Sequence, residues 1–296
     1  CKNRGPDWEE AYYDQDISLG HNRLSILDIE NRSNQPFIYE NLVLSFNGEI
    51  YNYIDLKKQL ELKGYKFFTT SDTEVLIKLF HMFGIEAFKM ISGIFSISIW
   101  DKKKKILYLI RDIVGVKPLY YKEKNGNIFF STLINPLLIE DKSSLNLHAA
   151  NYYNNFGYSD LNETFYQGIF KLLPGELLIY KNKRISKKKF LNFNFKRKFS
   201  DTLIKEKLEN IIKKQTVSDV PISISLSGGI DSNILLSNID KNLNSYTVSY
   251  SYKDNQSIDS IFAARRAKQF NISHNEIRVS DDDFFGSLEK IIDLLE

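Results

Sequence analysis

The octapeptide Ser225-Leu226-Ser227-Gly228-Gly229-Ile230-Asp231-Ser232, preceded by Ile222 to Ile224, has the residue types needed to cradle an anion. Adjacent glycines allow backbone N–H groups to turn towards a phosphate, and Ser227 and Ser232 add hydroxyl donors where a strand should give way to a helix N-terminus. A nucleotide pyrophosphate suits such a loop. The loop lacks the Lys and the spacing of the common phosphate loop of GTPases and kinases, which argues against transfer of a terminal phosphoryl group. Three polar clusters lie upstream: Gly20 to Ile26, Phe46 to Asn52 and Thr70 to Glu74. Within them Arg23 can grip a carboxylate, while Glu49 and Asp72 can accept bonds from an ammonium group, the two demands made by a free amino acid. By spacing alone, Asn47-Gly48 after an apolar run reads as a turn.

The elements that must position these groups fall into two stretches. From Ile17 to Leu133 short β-rich runs dominate: Ser25 to Ile29, Leu42 to Phe46, Phe95 to Trp100, Ile106 to Ile110 and Ile128 to Ser131, separated by Gly, Asn and Asp as in antiparallel sheets. Apolar residues at helical spacing predict helices over Tyr53 to Lys63 and Thr73 to Phe83, the second preceded by the capping residues Ser71-Asp72. Another short helix is expected over Leu147 to Phe156, then a Leu173-Pro174-Gly175 turn and a strand over Glu176 to Tyr180. Beyond Lys181-Asn182-Lys183 the chain turns basic and extended; Lys187 to Lys189 reads as part of a solvated hinge, with the linker at 191–200. Past it, helices (Leu203 to Lys214, Asp231 to Ile239, Ser260 to Phe270) alternate with strands (Ile222 to Leu226, Tyr246 to Tyr250). This alternation predicts a mostly parallel sheet, with the glycine loop at the carboxyl end of a strand where such sheets bind ligands.

With 296 residues, 43% of them hydrophobic, the chain has material for two domains with separate cores. Forty Lys and Arg against 37 Asp and Glu leave a formal charge of +3, too small an excess to argue for nucleic acid as a partner. One cysteine excludes an internal disulfide or a multi-cysteine metal site and suits a reducing compartment, so cytoplasm is the expectation. No apolar stretch approaches the roughly 20 residues that span a bilayer. His21, His81, His148 and His274 lack ligand spacing, and no metal is assigned to side chains alone. Trp8 and Trp100 read as packing residues.

Taken in order, Arg4-Gly5-Pro6-Asp7, Gly20 to Asp28, Gln35-Pro36, Asn47 to Asn52, Ser71 to Glu74, Arg111-Asp112 through Gly115 to Tyr121, Leu173-Pro174-Gly175 and Ser227 to Ser232 resemble the glutamine-hydrolysing asparagine synthetases and their amidotransferase relatives. The resemblance implies an α+β N-terminal-nucleophile-type domain, two antiparallel sheets between helices, over 1–190. It implies the start of an α/β ATP-pyrophosphatase-like domain with a mostly parallel sheet over 201–296. On the matching positions, Arg23 would bind the α-carboxylate of glutamine and Glu49 and Asp72 its amino group. Asn47 and the Gly48 N–H would stabilise an oxyanion. Ser227, Gly228, Gly229, Asp231 and Ser232 would hold the ATP pyrophosphate, with Leu226 and Val248 beside the adenine or ribose and Mg²⁺ neutralising phosphate charge. Glutamine and aspartate are the implied substrates, the alternatives being a related amidotransferase that acts on a different carboxylate and a non-catalytic glutamine- or nucleotide-binding protein; a homodimer is compatible with the resemblance. The family places its nucleophilic Cys further upstream, at the head of a strand and helix, so Cys1, separated from Arg4 only by Lys2 and Asn3, is not expected to be the nucleophile. The sequence reads as a fragment at both ends.

Overall fold

The computed structural model describes residues 2–139, 143–160, 162–191, 200–239, 243–250 and 257–295. Cys1 and most of the expected linker lie outside them. The chain divides into two compact units, meeting in sequence near residue 194.

The N-terminal unit is built on antiparallel pairing. Strands β1 (Trp8–Tyr13) and β2 (Ser18–Arg23) form a ribbon, with β3 (Phe37–Tyr39) and β4 (Leu42–Ile50) following. Helices α1 (Tyr53–Glu61) and α2 (Asp72–Phe83) interrupt the strands before β5 (Gly93–Asp101) and β6 (Ile106–Arg111). The remainder comprises β7 (Tyr120–Lys124), β8 (Asn127–Ser131), α3 (Asn135–Leu138), α4 (Leu147–Phe156), β9 (Ile169–Lys171), β10 (Glu176–Lys181) and β11 (Arg184–Lys189). A six-stranded sheet runs in the order β11-β10-β6-β5-β4-β3, and a smaller one in the order β8-β7-β9.

Alternation along the central strands sends side chains to two cores. Leu44 and Phe46 of β4 and Ile97 and Ile99 of β5 pack with Leu56 and Leu60 of α1 and Val75, Leu76 and Leu79 of α2. On the other set of positions, Val43, Trp100, Leu107 and Leu109 pack with Leu119, Tyr121 and Leu172. Past Val43 this second set becomes polar. Ser45 stands opposite Ser98 and Asn47 opposite Ser96, so one end of the interior is lined by small polar groups where a continuous apolar layer would have closed.

Three expectations are corrected. Ser25 to Ile29 is a loop, not a strand; the strand is the more polar Ser18–Arg23 just before it. The carbonyls of Leu27 and Asp28 in this loop, and of Glu30 just after it, are taken by Arg23 and are therefore unavailable to a ladder. Lys187 to Lys189 is not a hinge but the edge strand β11, paired with β10 through a turn at Asn182 and Lys183, both at positive φ. Its lysines blunt an otherwise open sheet edge. Trp8 is 38% exposed and hydrogen-bonds Glu10, whereas Trp100 is buried and donates to Asp14.

The C-terminal unit carries α5 (Asp201–Gln215), β12 (Ser223–Ser225), α6 (Ile230–Asn238), β13 (Asn244–Tyr250), α7 (Ile258–Phe270), β14 (Ser273–Val279) and α8 (Asp281–Leu295). Its three strands are parallel, in the order β12-β13-β14. Along β13 the usual pattern is inverted: Ser245, Thr247 and Ser249 are buried while Tyr246, Val248 and Tyr250 are exposed. The buried hydroxyls are satisfied: Ser245 donates to the Ser273 carbonyl, Thr247 to the Leu226 carbonyl and Ser249 to Glu276. Ile224, Leu226, Leu236, Leu243, Ala263 and Ala267 form the apolar core. Among the described residues no helix is long and apolar enough to cross a membrane.

Candidate functional site

A cavity of about 550 Å³ opens at the polar end of the N-terminal unit, and Arg23, Asn47, Gly48, Glu49 and Asp72 all line it. Each arrives on a different structural device. Arg23 ends β2, Asn47 to Glu49 sit near the end of β4, and Asp72 opens α2 behind the Ser71 cap. The end of β4 and the start of α2 are tied directly, because the Ile50 N–H donates to Asp72 Oδ2 at 2.9 Å. Gly48 has no alternative at its position. Its φ is +152°, and a Cβ built there would lie 2.0 Å from the Ile94 carbonyl oxygen of the neighbouring strand, so the strand approaches as closely as backbone permits.

Glu49 and Asp72 share one electrostatic environment. Burial, then the Asp72 carboxylate, pushes Glu49 up to about 8, with Lys117 pulling the other way. Burial also raises Asp72, to about 6, against the pull of the Ile50 and Thr73 hydrogen bonds. The two carboxyls therefore repel, and near neutral pH they retain a proton between them. An entering cation would relieve that repulsion. His21 faces the same space with Nδ1 3.0 Å from Ser45 Oγ. Burial, then Arg23, lowers it to about 4, so it is a neutral imidazole that orders the wall.

Arg23 is held more tightly than its isolated motif suggests. Nη1 donates to the Glu30 carbonyl and Asn34 Oδ1, and Nη2 to the carbonyls of Leu27 and Asp28, so its four terminal N–H positions are engaged. It presents a fixed positive charge at the cavity wall and organises the 27–34 loop. Sequence reasoning did not reach Lys117, which also lines the cavity. Lys117 is placed by Asp112, whose Oδ1 accepts from the N–H groups of Val114, Gly115 and Val116 and whose Oδ2 accepts from Lys117 and Phe95. Ser96, beside Asn47, also escaped the sequence reading; its buried hydroxyl has no partner among the described residues.

In the C-terminal unit the predicted loop follows β12 and opens α6 at Ile230. The two serines brace it: Ser227 N–H donates to Ser232 Oγ at 3.2 Å, their hydroxyls lie 3.1 Å apart, and Gly229 N–H donates to Ser227 Oγ. Neither Gly228 nor Gly229 is at positive φ, so the turn is not what demands glycine here. Gly228 is tied to Asp259 instead: its N–H donates to Asp259 Oδ1 at 3.1 Å, and a Cβ would come within 2.8 Å of that oxygen, which would have to shift to admit a side chain. Asp231 is exposed in the first turn of α6, and Val248 is exposed on β13. Leu226 lies behind the loop: its side chain is 1% exposed in the core, its N–H donates to the Tyr246 carbonyl and its carbonyl accepts from Thr247 Oγ1. Among the described residues no group of three His, Cys, Asp or Glu could hold a metal.

The family model described as glutamine amidotransferase domain matches residues 1–191, and that described as asparagine synthase matches 203–296. Asparagine synthetase [glutamine-hydrolyzing] 1 of Bacillus subtilis is 33% identical over 98% of this chain and 47% of its own length. Asparagine synthetase [glutamine-hydrolyzing] 3 of the same organism is 26% identical, over 98% and 52%. Amidase chry2 of Gibberella zeae is 30% identical, over 78% and 36%. The chain thus spans about half the length, or less, of these relatives. With an amidotransferase match across the antiparallel unit and an asparagine synthase match across the parallel one, the chain belongs to the glutamine-hydrolysing asparagine synthetase family.

Proposed function

We propose that this chain contributes the glutamine site and the pyrophosphate loop of an ATP-dependent amidotransferase that converts aspartate, ATP, glutamine and water to asparagine, AMP, pyrophosphate and glutamate. The observation that carries the reading is the convergence of Arg23, Asn47, Gly48, Glu49 and Asp72 on one cavity although they come from separate elements. Two repelling carboxyls, one buried and one half-buried, on a cavity that an arginine also lines make a receptor for an α-amino acid. Glu49 and Asp72 receive the ammonium, and the fixed charge of Arg23 draws the α-carboxylate. The Asn47 amide and the Gly48 N–H, both on the cavity, would stabilise the oxyanion that develops at the side-chain amide when the family's nucleophilic cysteine attacks it and ammonia leaves; one such donor is commonly worth about 3 kcal/mol.

The second half of the reaction needs an activated carboxylate. ATP adenylates the aspartate side chain, pyrophosphate leaves, and ammonia displaces AMP. Ser227, Gly228, Gly229 and Ser232 would cradle the departing pyrophosphate at the start of α6, with Leu226 backing the loop from the core and Val248 beside the nucleoside. The exposed Asp231 and the nearby Asp259 fit a Mg²⁺ that arrives with the phosphates and neutralises their charge. Cytoplasmic residence and a homodimer belong to the same proposal. The amidase among the relatives favours one alternative, in which the acceptor is another carboxylate. Glutamine binding to the chain by calorimetry tests the first half. Pyrophosphate release by the natural full-length protein, with aspartate or other carboxylates supplied in turn, tests the second: release with no dependence on aspartate would remove asparagine as the product.

A further inference from the structure

Asp28 does not line the cavity, yet it touches both of the loops that do. It is 3% exposed and holds φ 46°, the left-handed region that Asp and Asn tolerate. Its carbonyl accepts from Arg23 Nη2 at 2.5 Å. Its carboxylate reaches the other loop: Oδ2 accepts from the Thr70 N–H at 2.6 Å and from Thr70 Oγ1 at 3.0 Å, and both oxygens accept from Arg32 Nε at 3.1 Å. Thr70 stands two residues before Asp72. One buried residue thus spans, in a single step, segments 42 positions apart in sequence.

The loop on the far side is stiff. The Glu74 carboxylate accepts from the N–H groups of Phe68 and Thr69 and from Thr69 Oγ1, and is paired with buried Lys78 at 2.5 Å. Asp28 therefore joins two rigid bodies, one carrying Arg23 and one carrying Asp72, and does not merely order a floppy turn. We propose that Asp28 is a positioning residue: its carboxylate bridge to Thr70 fixes the separation between the Arg23 and Asp72 walls and makes the cavity select ligands that carry an α-carboxylate and an α-ammonium together. This rests on the amino-acid site proposed above. The bridge acts on the relation between the walls; the Arg23 wall itself is held by main-chain carbonyls that survive substitution of the Asp28 side chain.

The test compares two ligands on the chain and its variants. L-Glutamine engages both walls; 4-carbamoylbutanoate, the same molecule without its amine, engages only one. Asp28→Asn keeps the tolerated backbone conformation but loses the charged acceptor, and Thr70→Val removes the hydroxyl half of the bridge with Asp28 intact. Affinities are read by ligand-observed NMR, which reaches millimolar binding, after circular dichroism establishes folding. Expected are an approximately tenfold loss for L-glutamine in Asp28→Asn, a smaller loss in Thr70→Val, a double variant no worse than Asp28→Asn alone, and 4-carbamoylbutanoate affinities within about twofold throughout. Unchanged L-glutamine affinity, or equal weakening of both ligands, overturns the inference and leaves the site reading standing. Failure of the unsubstituted chain to bind L-glutamine overturns the site reading, and the inference with it.

Discussion

Replacing Glu49 by Gln should stabilise the N-terminal unit at alkaline pH while removing part of the proposed ammonium site. Glu49 lies at about 8 in the folded chain against an ordinary 4.5. A carboxyl raised on folding favours the protonated form. Its contribution to stability is therefore complete below the unfolded value and is lost as pH rises through the folded one. At 1.36 kcal/mol for each tenfold, that interval sets a ceiling of roughly 5 kcal/mol on the cost of ionising it. The carboxyl is partly open to the cavity and shares its proton with Asp72, which reduces the expected effect to about 1–3 kcal/mol. Both tryptophans, Trp8 and Trp100, lie in this unit, so intrinsic fluorescence during urea unfolding follows it alone. The stabilities of parent and Glu49→Gln should nearly coincide at about pH 5 and separate progressively towards about pH 9, the variant being the more stable. Comparing the two proteins cancels the titrating groups that do not interact with Glu49, and leaves the Glu49–Asp72 pair as the source of the difference. Parallel curves over that range would refute the repulsion between Glu49 and Asp72 on which the site reading depends.

Glutamine binding near neutral pH should release a proton from the Glu49–Asp72 pair, so affinity should increase as pH rises from about 6 to about 8; calorimetry in two buffers of different ionisation enthalpy measures it, and proton uptake would contradict it. Gly48→Ala should cost more than about 3 kcal/mol in the same fluorescence assay, because its Cβ would collide with the Ile94 carbonyl; a change within about 0.5 kcal/mol would mean that β4 and β5 are not so closely apposed. Gly228→Val should lower ATP affinity about tenfold or more at fixed Mg²⁺ through the clash at Asp259, whereas Gly229→Ala, which meets only Ser227 Oγ at 3.2 Å, should have a smaller effect; equal affinities would remove this loop as the phosphate site.

Several helices were legible where apolar spacing and a cap agreed: Leu147–Phe156 has the predicted bounds, and α2 begins one residue earlier than expected, at Asp72 behind Ser71, whereas α8, capped by Ser280, was not read from the sequence. The longer apolar strands were legible, while the three-residue strands Phe37–Tyr39 and Ile169–Lys171 were too short to show a period. Ser18–Arg23 and Ser273–Val279 escaped because their pairing is set by neighbours and by buried hydroxyl and carboxyl bonds, which leave no hydrophobic alternation to read. β11 escaped because an edge strand can be made almost wholly of charged residues. The glycine loop and the cavity residues stood out because each lies in a short segment of unusual composition. Lys117 and Asp28 fall in the matching segments and Ser96 in an expected strand, but none was given a role, because their importance comes from what lies across the fold: a cavity wall, a loop 42 residues away, a strand partner.

Asp112 bears on which changes the segment after β6 can absorb. Its carboxylate gathers four consecutive backbone N–H groups, from Val114 to Lys117, together with that of Phe95. What is recognised is main chain, while the side chains of Val114 and Val116 remain 72% and 53% exposed. The identities of those two residues can therefore drift with little penalty, but the count of residues cannot: one inserted or deleted position would move an N–H out of reach and swing Lys117 off the cavity wall. The segment behaves as a ruler of fixed length written in interchangeable letters.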